Sequence, residues 1–434
     1  MHRRSFLATS SAFAALLASG CSTRMADSAA SGSGYGPLQP DPAGFLDLPE
    51  GFTYRIISKL GDAMDDGFAV PDRADGMGCF DLGNGKIALV RNHELKTNND
   101  GGGVMGPAYD TVARSLVPLP GGTTTLVLDA ASLAVEKQYR SLAGTIRNCA
   151  GGVTPWGSWL SCEEDVTVPN GMVNKSHGYV FEVPASAPGL VDPKPITAMG
   201  RFNHEAVAID PVTGIAYMTE DRGDGLLYRY IPNIPGKLAE GGRLQAAVLE
   251  RGITDTRNWE SPNWVPGQSY ALSWVDLDNV EAPEDDLRLR GAAKGAAMFA
   301  RGEGIWMGER DLYFACTNGG AAKLGQIFRL TPGRTRIPDR MELFFESTDP
   351  EQLNYGDNLT VTPKGHLVVC EDQYTDVVTN HLRWIDPQGR AYPLALLRAQ
   401  TELAGACFSP DGKTLFVNVY SPTATLAISG PWIG

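Results

Sequence analysis

The feature that most constrains the fold of this chain is a segment that recurs six times along it. Each copy begins with small or polar residues, passes through a turn, continues as an apolar strand-like run, and often ends in acidic residues. The copies are Cys79 to Glu94, Asn148 to Asp165, Asn203 to Asp221, Gly302 to Gly320, Asp357 to Asp372 and Gly405 to Tyr420. Repeats of this kind bury their apolar faces against one another, so they predict one repeat architecture rather than several unrelated domains.

Short turns separate the first two strands of several copies, at Asp210 to Gly214, Thr362 to Gly365 and Ser409 to Gly412. Further strand-like runs follow, at Gly178 to Val183, Leu226 to Tyr230 and Gly325 to Leu330. The 50 glycines and 29 prolines also favour short strands joined by tight turns. We therefore predict an all-β, six-bladed β-propeller with inserted loops and short helices over residues 44–434. A seventh blade within Leu244 to Glu281 is the structural alternative.

The first residues have the pattern of an export signal peptide. Residues 1–21 begin with Arg3-Arg4-Ser5-Phe6-Leu7 and resemble a twin-arginine signal peptide, with an ordinary secretory signal as the alternative. The run before Cys21 resembles a lipobox, which would make Cys21 a lipidated N-terminus, although ordinary signal-peptidase cleavage is also compatible with it. Residues 22–43 are predicted to be a flexible linker. The expected location is periplasmic or extracellular, with the twin-arginine export machinery as a partner and a possible lipid anchor.

The chain is acidic, with a net charge of -13 and a pI near 5.0. It offers no basic stripe to neutralise a phosphodiester backbone, so nucleic acid is not expected as a partner. Beyond the first two dozen residues, no apolar run approaches the roughly 18 residues that span a bilayer. We expect the mature body to be a monomer. If its acidic groups cluster, cations are the natural partners.

In a propeller the first strand of every blade lines the central axis. Side chains from different blades therefore converge there although they are far apart in the sequence. A metal site can be assembled in this way without a local motif. The most unusual candidate stretch is Asn148 to Trp159, in which the Cys149 thiol lies beside glycines that permit close backbone approach.

The run from Asn148 to Glu164 resembles the signature of the PhoX alkaline phosphatase family. Further matching runs are Arg91-Asn92-His93-Glu94, Arg201 to Pro211, Phe299 to Gly304 and Asp357-Asn358-Leu359-Thr360. The resemblance implies a six-bladed propeller that hydrolyses phosphate monoesters with Fe3+ and Ca2+. Carried over by motif, Cys149, Glu205 and Glu303 would bind iron, and Arg301 would bind the substrate phosphate. Calcium ligands would be Glu94, Asp357 and Glu371.

General chemistry agrees with this assignment. A thiolate with carboxylates suits iron, whereas calcium prefers several oxygen donors. The planar guanidinium of Arg301 can bind phosphate oxygens in pairs, and on an extended segment it would share one face with Glu303. The alternative for these two residues is a structural ion pair.

His93 and His204 each precede a candidate glutamate, but their spacing does not fit a zinc site. We expect both to pack or to form hydrogen bonds. The pairs Glu163-Glu164 and Glu220-Asp221 are either ligands or solvated strand ends. The remaining cysteines, Cys79, Cys162, Cys316, Cys370 and Cys407, predict no disulfide framework.

The expected function is that of an exported alkaline phosphatase that acts on small phosphate esters, with Cys149 and Arg301 as its catalytic residues. The chain looks shorter than typical members of the family, so loops that contact substrate could be missing. Two alternatives therefore stay open. One is a calcium-binding propeller without catalysis, and the other is a related hydrolase acting on phosphodiesters or lactones.

Overall fold

The computed structural model describes residues 34–335, 337–373 and 375–433, and within them the protein is an all-β, propeller-like fold. Cys21 and the expected signal peptide lie outside the described residues. None of the helices in the described part has the length and apolar character needed to cross a bilayer. The helical elements are short: α1 at Leu287–Ala293 and three 3-10 helices at Thr197–Met199, Leu238–Glu240 and Glu250–Gly252.

The strands follow the order of the chain. The first seventeen are β1 Leu38–Gln39, β2 Leu46–Pro49, β3 Thr53–Lys59, β4 Ala74–Gly83, β5 Lys86–His93, β6 Gly121–Asp129, β7 Val135–Thr145, β8 Asn148–Val153, β9 Ser158–Glu163, β10 Val180–Pro184, β11 His204–Ile209, β12 Ala216–Glu220, β13 Gly225–Leu226, β14 Tyr228–Pro232, β15 Gly242–Leu249, β16 Ser269–Asp276 and β17 Met298–Phe299.

The remaining strands complete the fold. They are β18 Gly302–Met307, β19 Leu312–Cys316, β20 Gln326–Thr331, β21 Arg340–Glu346, β22 Gly356–Val361, β23 Leu367–Glu371, β24 His381–Ile385, β25 Ala391–Leu397, β26 Leu403–Phe408, β27 Thr414–Val419 and β28 Ala424–Ser429.

These strands pair as antiparallel meanders, which we name units I to VI. Unit I is β4-β5-β6-β7, unit II is β8-β9-β10, and unit III is β11-β12-β14-β15. Unit IV is β18-β19-β20-β21, unit V is β22-β23-β24-β25, and unit VI is β26-β27-β28 completed by β3 from the start of the described chain. The first strands, β4, β8, β11, β18, β22 and β26, contact one another in that order, and β26 contacts β4 again.

A separate apolar cluster lies between each unit and the next. Trp159 and Phe181 pack with Val90 between units I and II, and Phe314 and Phe299 lie in the cluster between units III and IV. The second strands are buried on both faces, as β5 illustrates. This explains why they read as continuous apolar runs in the sequence.

The structure adds detail to two sequence-based expectations, the possible seventh blade and the flexible linker. The insertion from Leu244 to Glu281 does not form a sheet of its own within the described residues, because β16 pairs with both β15 and β21 and joins units III and IV along their outer edges. The expected linker, residues 22–43, includes residues that belong to the folded body from Gly34 onward. β1 pairs with β2, and the Tyr35 ring packs against Phe52 with 4.8 Å between centroids.

Candidate metal centre

Every first strand begins with a β-bulge. The strand pairing shifts between Ala74 and Met77, Asn148 and Gly151, His204 and Val207, Gly302 and Ile305, Gly356 and Leu359, and Ala404 and Cys407. A bulge bends the strand and re-aims a side chain. In five units the bulge carries a potential metal ligand, at Asp75, Cys149, Glu205, Glu303 and Asp357. The bulge of β26 contains Gly405 and Ala406, which have no ligand atom.

Glycines allow these bulges to approach one another closely. A Cβ on Gly76 would lie 2.5 Å from the Cα of Ala150 in the neighbouring unit, and one on Gly304 would lie 2.8 Å from the Cα of Asn358. Gly405 has a φ of +62°, and a Cβ there would lie 2.2 Å from the Asp75 carbonyl oxygen. Such contacts exclude any larger residue unless the backbone moves. The ring of bulges is therefore tightly packed.

A second layer of ligands comes from the residues that follow the second strands. Glu94, Glu164, Asp221 and Asp372 occupy this position in units I, II, III and V. Their backbone N–H groups donate to the carbonyl of the residue that precedes the first strand, as in Glu94 to Arg73 at 2.9 Å. Glu163, Glu220 and Glu371 directly precede three of these residues. Because side chains alternate along a strand, these three acids point to the opposite face from the residues that follow them. The acidic pairs of the sequence are thus divided between two faces.

Six of these residues, together with Glu402, form three overlapping groups whose ligand atoms are close enough to bind a metal ion. The ligand atoms within each group lie within 4.8 Å of one another. The groups are Cys149, Glu164 and Glu205; Glu205, Glu303 and Asp357; and Asp357, Asp372 and Glu402. Glu205 and Asp357 are each shared by two groups. The arrangement can hold several adjacent cations bridged by shared carboxylates.

The electrostatics of the cluster also favour the binding of cations. Burial, reinforced by neighbouring carboxylates, raises the pKa values of Asp75, Glu164, Glu205, Glu303 and Glu402 well above their usual range. Burial and the nearby Asp372 raise the pKa of Asp357 to about 7. Burial also raises the pKa of the Cys149 thiol, whose Sγ lies 3.7 Å from an Asp75 oxygen. Cations at this place would stabilise the ionised forms that burial disfavours.

Unsatisfied oxygens support the same conclusion. Glu205 is fully buried, and neither of its carboxylate oxygens accepts a hydrogen bond from a nitrogen or oxygen donor of the described residues. The Oδ1 atom of Asp75 is buried and unpartnered as well. Buried carboxylates are normally hydrogen-bonded or bound to metals. The donor set of one thiol and several carboxylates fits iron at the Cys149 end and a harder cation such as calcium at the all-oxygen end.

Two arginines border the cluster. The Arg301 guanidinium donates from Nε and Nη2 to both oxygens of Asp221, at 2.7 and 3.0 Å, and its Nη2 lies 3.0 Å from Glu303 Oε1. Arg147 donates from Nε to Glu94 at 2.8 Å and from Nη2 to Glu164 at 2.8 Å. Both arginines have positive φ values, 53° and 47°, which are uncommon for non-glycine residues and cluster at functional sites. Arg301 is therefore not extended, and the bulge, rather than strand alternation, brings it to Glu303.

The sequence profile of the family described as alkaline phosphatase PhoX matches residues 33–132 and 113–423, which is most of the chain. This chain belongs to the PhoX alkaline phosphatase family. The assignment agrees with the motifs at Cys149, Glu205 and Arg301.

Solved structures agree with the fold of this PhoX family chain. PhoX from Pseudomonas fluorescens, in complex with vanadate, a transition state analogue, gives a TM-score of 0.67 at 18% identity, with 89% of this chain and 96% of that chain covered. A gluconolactonase from Xanthomonas campestris gives a TM-score of 0.43 at 14% identity, with 91% and 98% covered. No curated protein gives a match. The first likeness supports the propeller-like fold.

The structure places most of the residues that the sequence suggested as ligands of this PhoX chain in the cluster. Cys149, Glu205, Glu303 and Asp357 are among its metal-binding groups, and Glu94 borders it through Arg147. Glu371 is the exception. Its carboxylate accepts hydrogen bonds from Arg383 Nε at 2.7 Å and from backbone N–H groups. The neighbouring residue Asp372, and not Glu371, belongs to one of the three groups that could hold a metal.

The two histidines of the PhoX motifs face away from the cluster. His93 Nδ1 donates to the Asp72 carbonyl at 2.9 Å, which leaves its Nε2 to accept from Thr124 at 2.9 Å. His204 donates from Nε2 to the Gly200 carbonyl and stacks on Phe202 with 3.6 Å between centroids. Burial lowers the pKa of His204 to about 3. Both rings are neutral packing groups.

Sequence reasoning missed Asp75 and Glu402 and left Glu164 and Asp221 undecided. Asp75 occupies the same bulge position as Cys149 and Glu205, so aligning the six repeats from their first strands would have found it. Glu402 just precedes β26, where no neighbouring acidic residue drew attention. The described cysteines are all free, as the sequence indicated.

Proposed function

We propose that this protein is an exported, metal-dependent phosphoric monoester hydrolase whose active site is the axial cluster. The observation that carries the proposal is the group of Cys149, Glu205, Glu303 and Asp357 in one buried cluster, with the Arg301 guanidinium at its edge. The family assignment supports phosphatase activity. The buried carboxylates supply the reason for cations.

The residues divide into two roles. Cys149, Glu164, Glu205 and Glu303 would hold iron, and Asp357, Asp372 and Glu402 would hold calcium. Glu94, also expected from the sequence to bind calcium, contacts Arg147 and Tyr420 at the edge of the cluster. Bound cations would neutralise the phosphate and lower the pKa of a coordinated water.

Arg301 would bind and orient the phosphoryl oxygens. Its side chain is 23% exposed and is held by ion pairs with Asp221 and Glu303. A guanidinium held in this way is oriented before the substrate arrives, so little conformational freedom is lost on binding. The structural ion pair considered from the sequence is thus compatible with a substrate role.

The proposed protein is also six-bladed, exported and monomeric. Six blades are supported by the closed cycle of contacts among the first strands and by the apolar cluster at each junction. Export by the twin-arginine route to the periplasm or the exterior, lipidation of Cys21, and a monomeric state rest on the sequence alone. Mass spectrometry of the exported protein would show a lipidated or an unmodified N-terminus.

Elemental analysis combined with activity tests the proposed function. The protein isolated from an export-competent host should contain iron and calcium and release phosphate from a nitrophenyl phosphate. Cys149→Ser should lose both iron and activity, because a hydroxyl is a poor substitute for a thiolate ligand. Cys316→Ser, which alters a buried free thiol in the core between units III and IV, is the matched control and should retain both.

Other results would exclude the proposal. Calcium-dependent stability without iron or turnover would indicate a binding propeller. Hydrolysis of phosphodiesters or lactones with no action on monoesters would change the substrate class. Full activity in Cys149→Ser would contradict the role of the thiol.

A further inference from the structure

Asn92 links the first two units at the point where Cys149 enters the cluster. It lies on β5 of unit I and is fully buried. Its Nδ2 donates to the carbonyl oxygens of Cys149 at 3.1 Å and of Ala150 at 2.6 Å, both in the bulge of β8. Its Oδ1 accepts from Trp159 Nε1 at 2.9 Å and from Ser161 Oγ at 2.8 Å.

The orientation of this carboxamide follows from its partners. An indole N–H can only donate, so the Asn92 atom that faces Trp159 must be the oxygen. The amide nitrogen is then left facing the two carbonyls, which can only accept. Every hydrogen-bonding position of the side chain is therefore used in one orientation.

The bulge creates the need for this side chain. A bulge leaves its extra residue unpaired in the ladder, so the carbonyls of Cys149 and Ala150 lack their usual strand partners. Both residues are buried, and an unsatisfied buried carbonyl is costly. Asn92 satisfies both carbonyls from the neighbouring unit and thereby fixes the backbone on either side of the Ala150 Cα, directly after Cys149.

Comparable contacts hold two other bulges. Thr219 Oγ1 donates to the Glu303 carbonyl at 2.6 Å, and Asn418 Nδ2 donates to the Asp75 carbonyl at 2.6 Å. In each case a second-strand side chain from the preceding unit binds the carbonyl of the residue whose side chain enters the cluster. Asn92 differs because it binds two successive carbonyls.

We propose that Asn92 is a positioning residue for Cys149, which aims the thiol at its metal by fixing the β8 bulge. This inference rests on the proposed function insofar as Cys149 is an iron ligand. It also explains why the run Arg91-Asn92-His93-Glu94 and the run from Asn148 to Trp159 belong together, because Asn92 bonds to Cys149, Trp159 and Ser161.

The test replaces Asn92 with leucine, which has a similar size and no hydrogen-bonding groups. The iron-loaded Asn92→Leu protein should show a shifted or weakened thiolate-to-iron charge-transfer absorption band. Its iron affinity, measured by chelator competition, should fall by about 10- to 100-fold, as is typical when the partner of a ligand is removed. In metal-free protein, Cys149 should react faster with iodoacetamide, with Cys316 as the internal reference.

Asn258→Leu is the matched control. Asn258 is also buried and donates from Nδ2 to the Trp264 carbonyl at 2.6 Å, but it lies outside the cluster. Its loss should lower stability while leaving the absorption band and the Cys149 alkylation rate unchanged. If Asn92→Leu fails to fold, the smaller change Asn92→Ser gives the same comparison, because serine cannot reach both carbonyls.

An unchanged band and an unchanged Cys149 alkylation rate in a folded Asn92 variant would overturn the inference. Equal changes in the Asn258 variant would overturn it too, because they would show a general effect of lost stability. A wild-type protein without iron or phosphatase activity would instead contradict the proposed function. In that case the alkylation rates alone would decide whether Asn92 positions Cys149.

Discussion

Arg147 and Arg301 occupy the same position in two different units, two residues before a bulge residue. Each pairs with the acidic residue that directly follows the second strand of the preceding unit, Glu94 for Arg147 and Asp221 for Arg301. The difference lies in their own units. Unit II places Glu164 beside Arg147, whereas unit IV has Thr317, whose N–H donates to the Arg301 carbonyl at 3.1 Å.

The same backbone position thus gives the two arginines different acidic partners. Arg147 is held by two carboxylates that are only 10% and 5% exposed, and its Nη1 also donates to the Glu164 carbonyl. It therefore neutralises and orients acidic groups. Unit IV has a threonine in place of that second acid, and Arg301 pairs instead with the Glu303 carboxylate of its own bulge.

Alanine at each position should separate the two roles and gives the largest expected effects. Arg301→Ala should lower kcat/KM for a nitrophenyl phosphate by about 10²- to 10³-fold, because a preoriented donor to the transition state is lost. With iron and calcium in excess, its metal content should reach that of wild type. Arg147→Ala should lower metal affinity by about 10- to 100-fold through misoriented Glu94 and Glu164. Elemental analysis and steady-state kinetics measure both.

Added metal is the control for this pair. Excess calcium and iron should restore much of the activity of Arg147→Ala and none of that of Arg301→Ala, and Arg301→Lys should recover only part because a lysine cannot bind two phosphate oxygens in one plane. Identical behaviour of the two alanine variants would contradict the proposal that Arg301 binds substrate while Arg147 orients metal ligands.

A smaller effect is expected from the neighbours Glu371 and Asp372, which face opposite sides of β23. Asp372→Asn should raise the calcium concentration for half-maximal activity by about tenfold or more, because ligand charge sets calcium affinity. Glu371→Gln should leave that concentration unchanged. It should instead lower the free energy of unfolding by about 3 kcal/mol, since it breaks the buried pair with Arg383. Calcium titration and urea unfolding distinguish the two, and the opposite pattern would restore Glu371 as the ligand.

The smallest effect is expected from Glu163 and His177, which hold the backbone next to Arg147. Glu163 accepts from the Ile146 N–H at 3.0 Å and contacts His177 Nδ1 at 2.6 Å. Burial opposes charge on His177, but Glu163 and Asp110 outweigh it and raise its pKa above the usual 6.5. The unfolded chain releases this proton first, so the stabilisation is complete below about pH 6.5 and is lost as the pH rises through the folded pKa.

The melting temperature of the metal-free protein should therefore fall over that range. His177→Asn should make this dependence shallower without removing it, because the raised pKa values of the buried cluster carboxylates give a fall of the same sign. A variant of the neutral His204 should leave the dependence unchanged. An unchanged dependence in His177→Asn would show that His177 is not charged in the folded state.

The sequence was sufficient for the repeat pattern, because apolar second strands recur along the chain and turn residues precede them in several copies. It also indicated Cys149, Glu205, Glu303 and Asp357, which matching motifs carry. The exchange of Glu371 for Asp372 could not be foreseen, since adjacent acids face opposite sides and the register is set by hydrogen bonding across the sheet. The bulges were also hidden, because they depend on contacts between units far apart in the chain.

The pairing of β3 with β28 places the two ends of the described chain in one sheet. Asp75 lies near the start of the ring and Glu402 near its end, while Gly405 packs against the Asp75 carbonyl. The full ligand set therefore exists only after synthesis of the last unit and its union with the first. A chain truncated before Glu402, which precedes β26, would lack both this carboxylate and the closing contact of Gly405 with the Asp75 carbonyl.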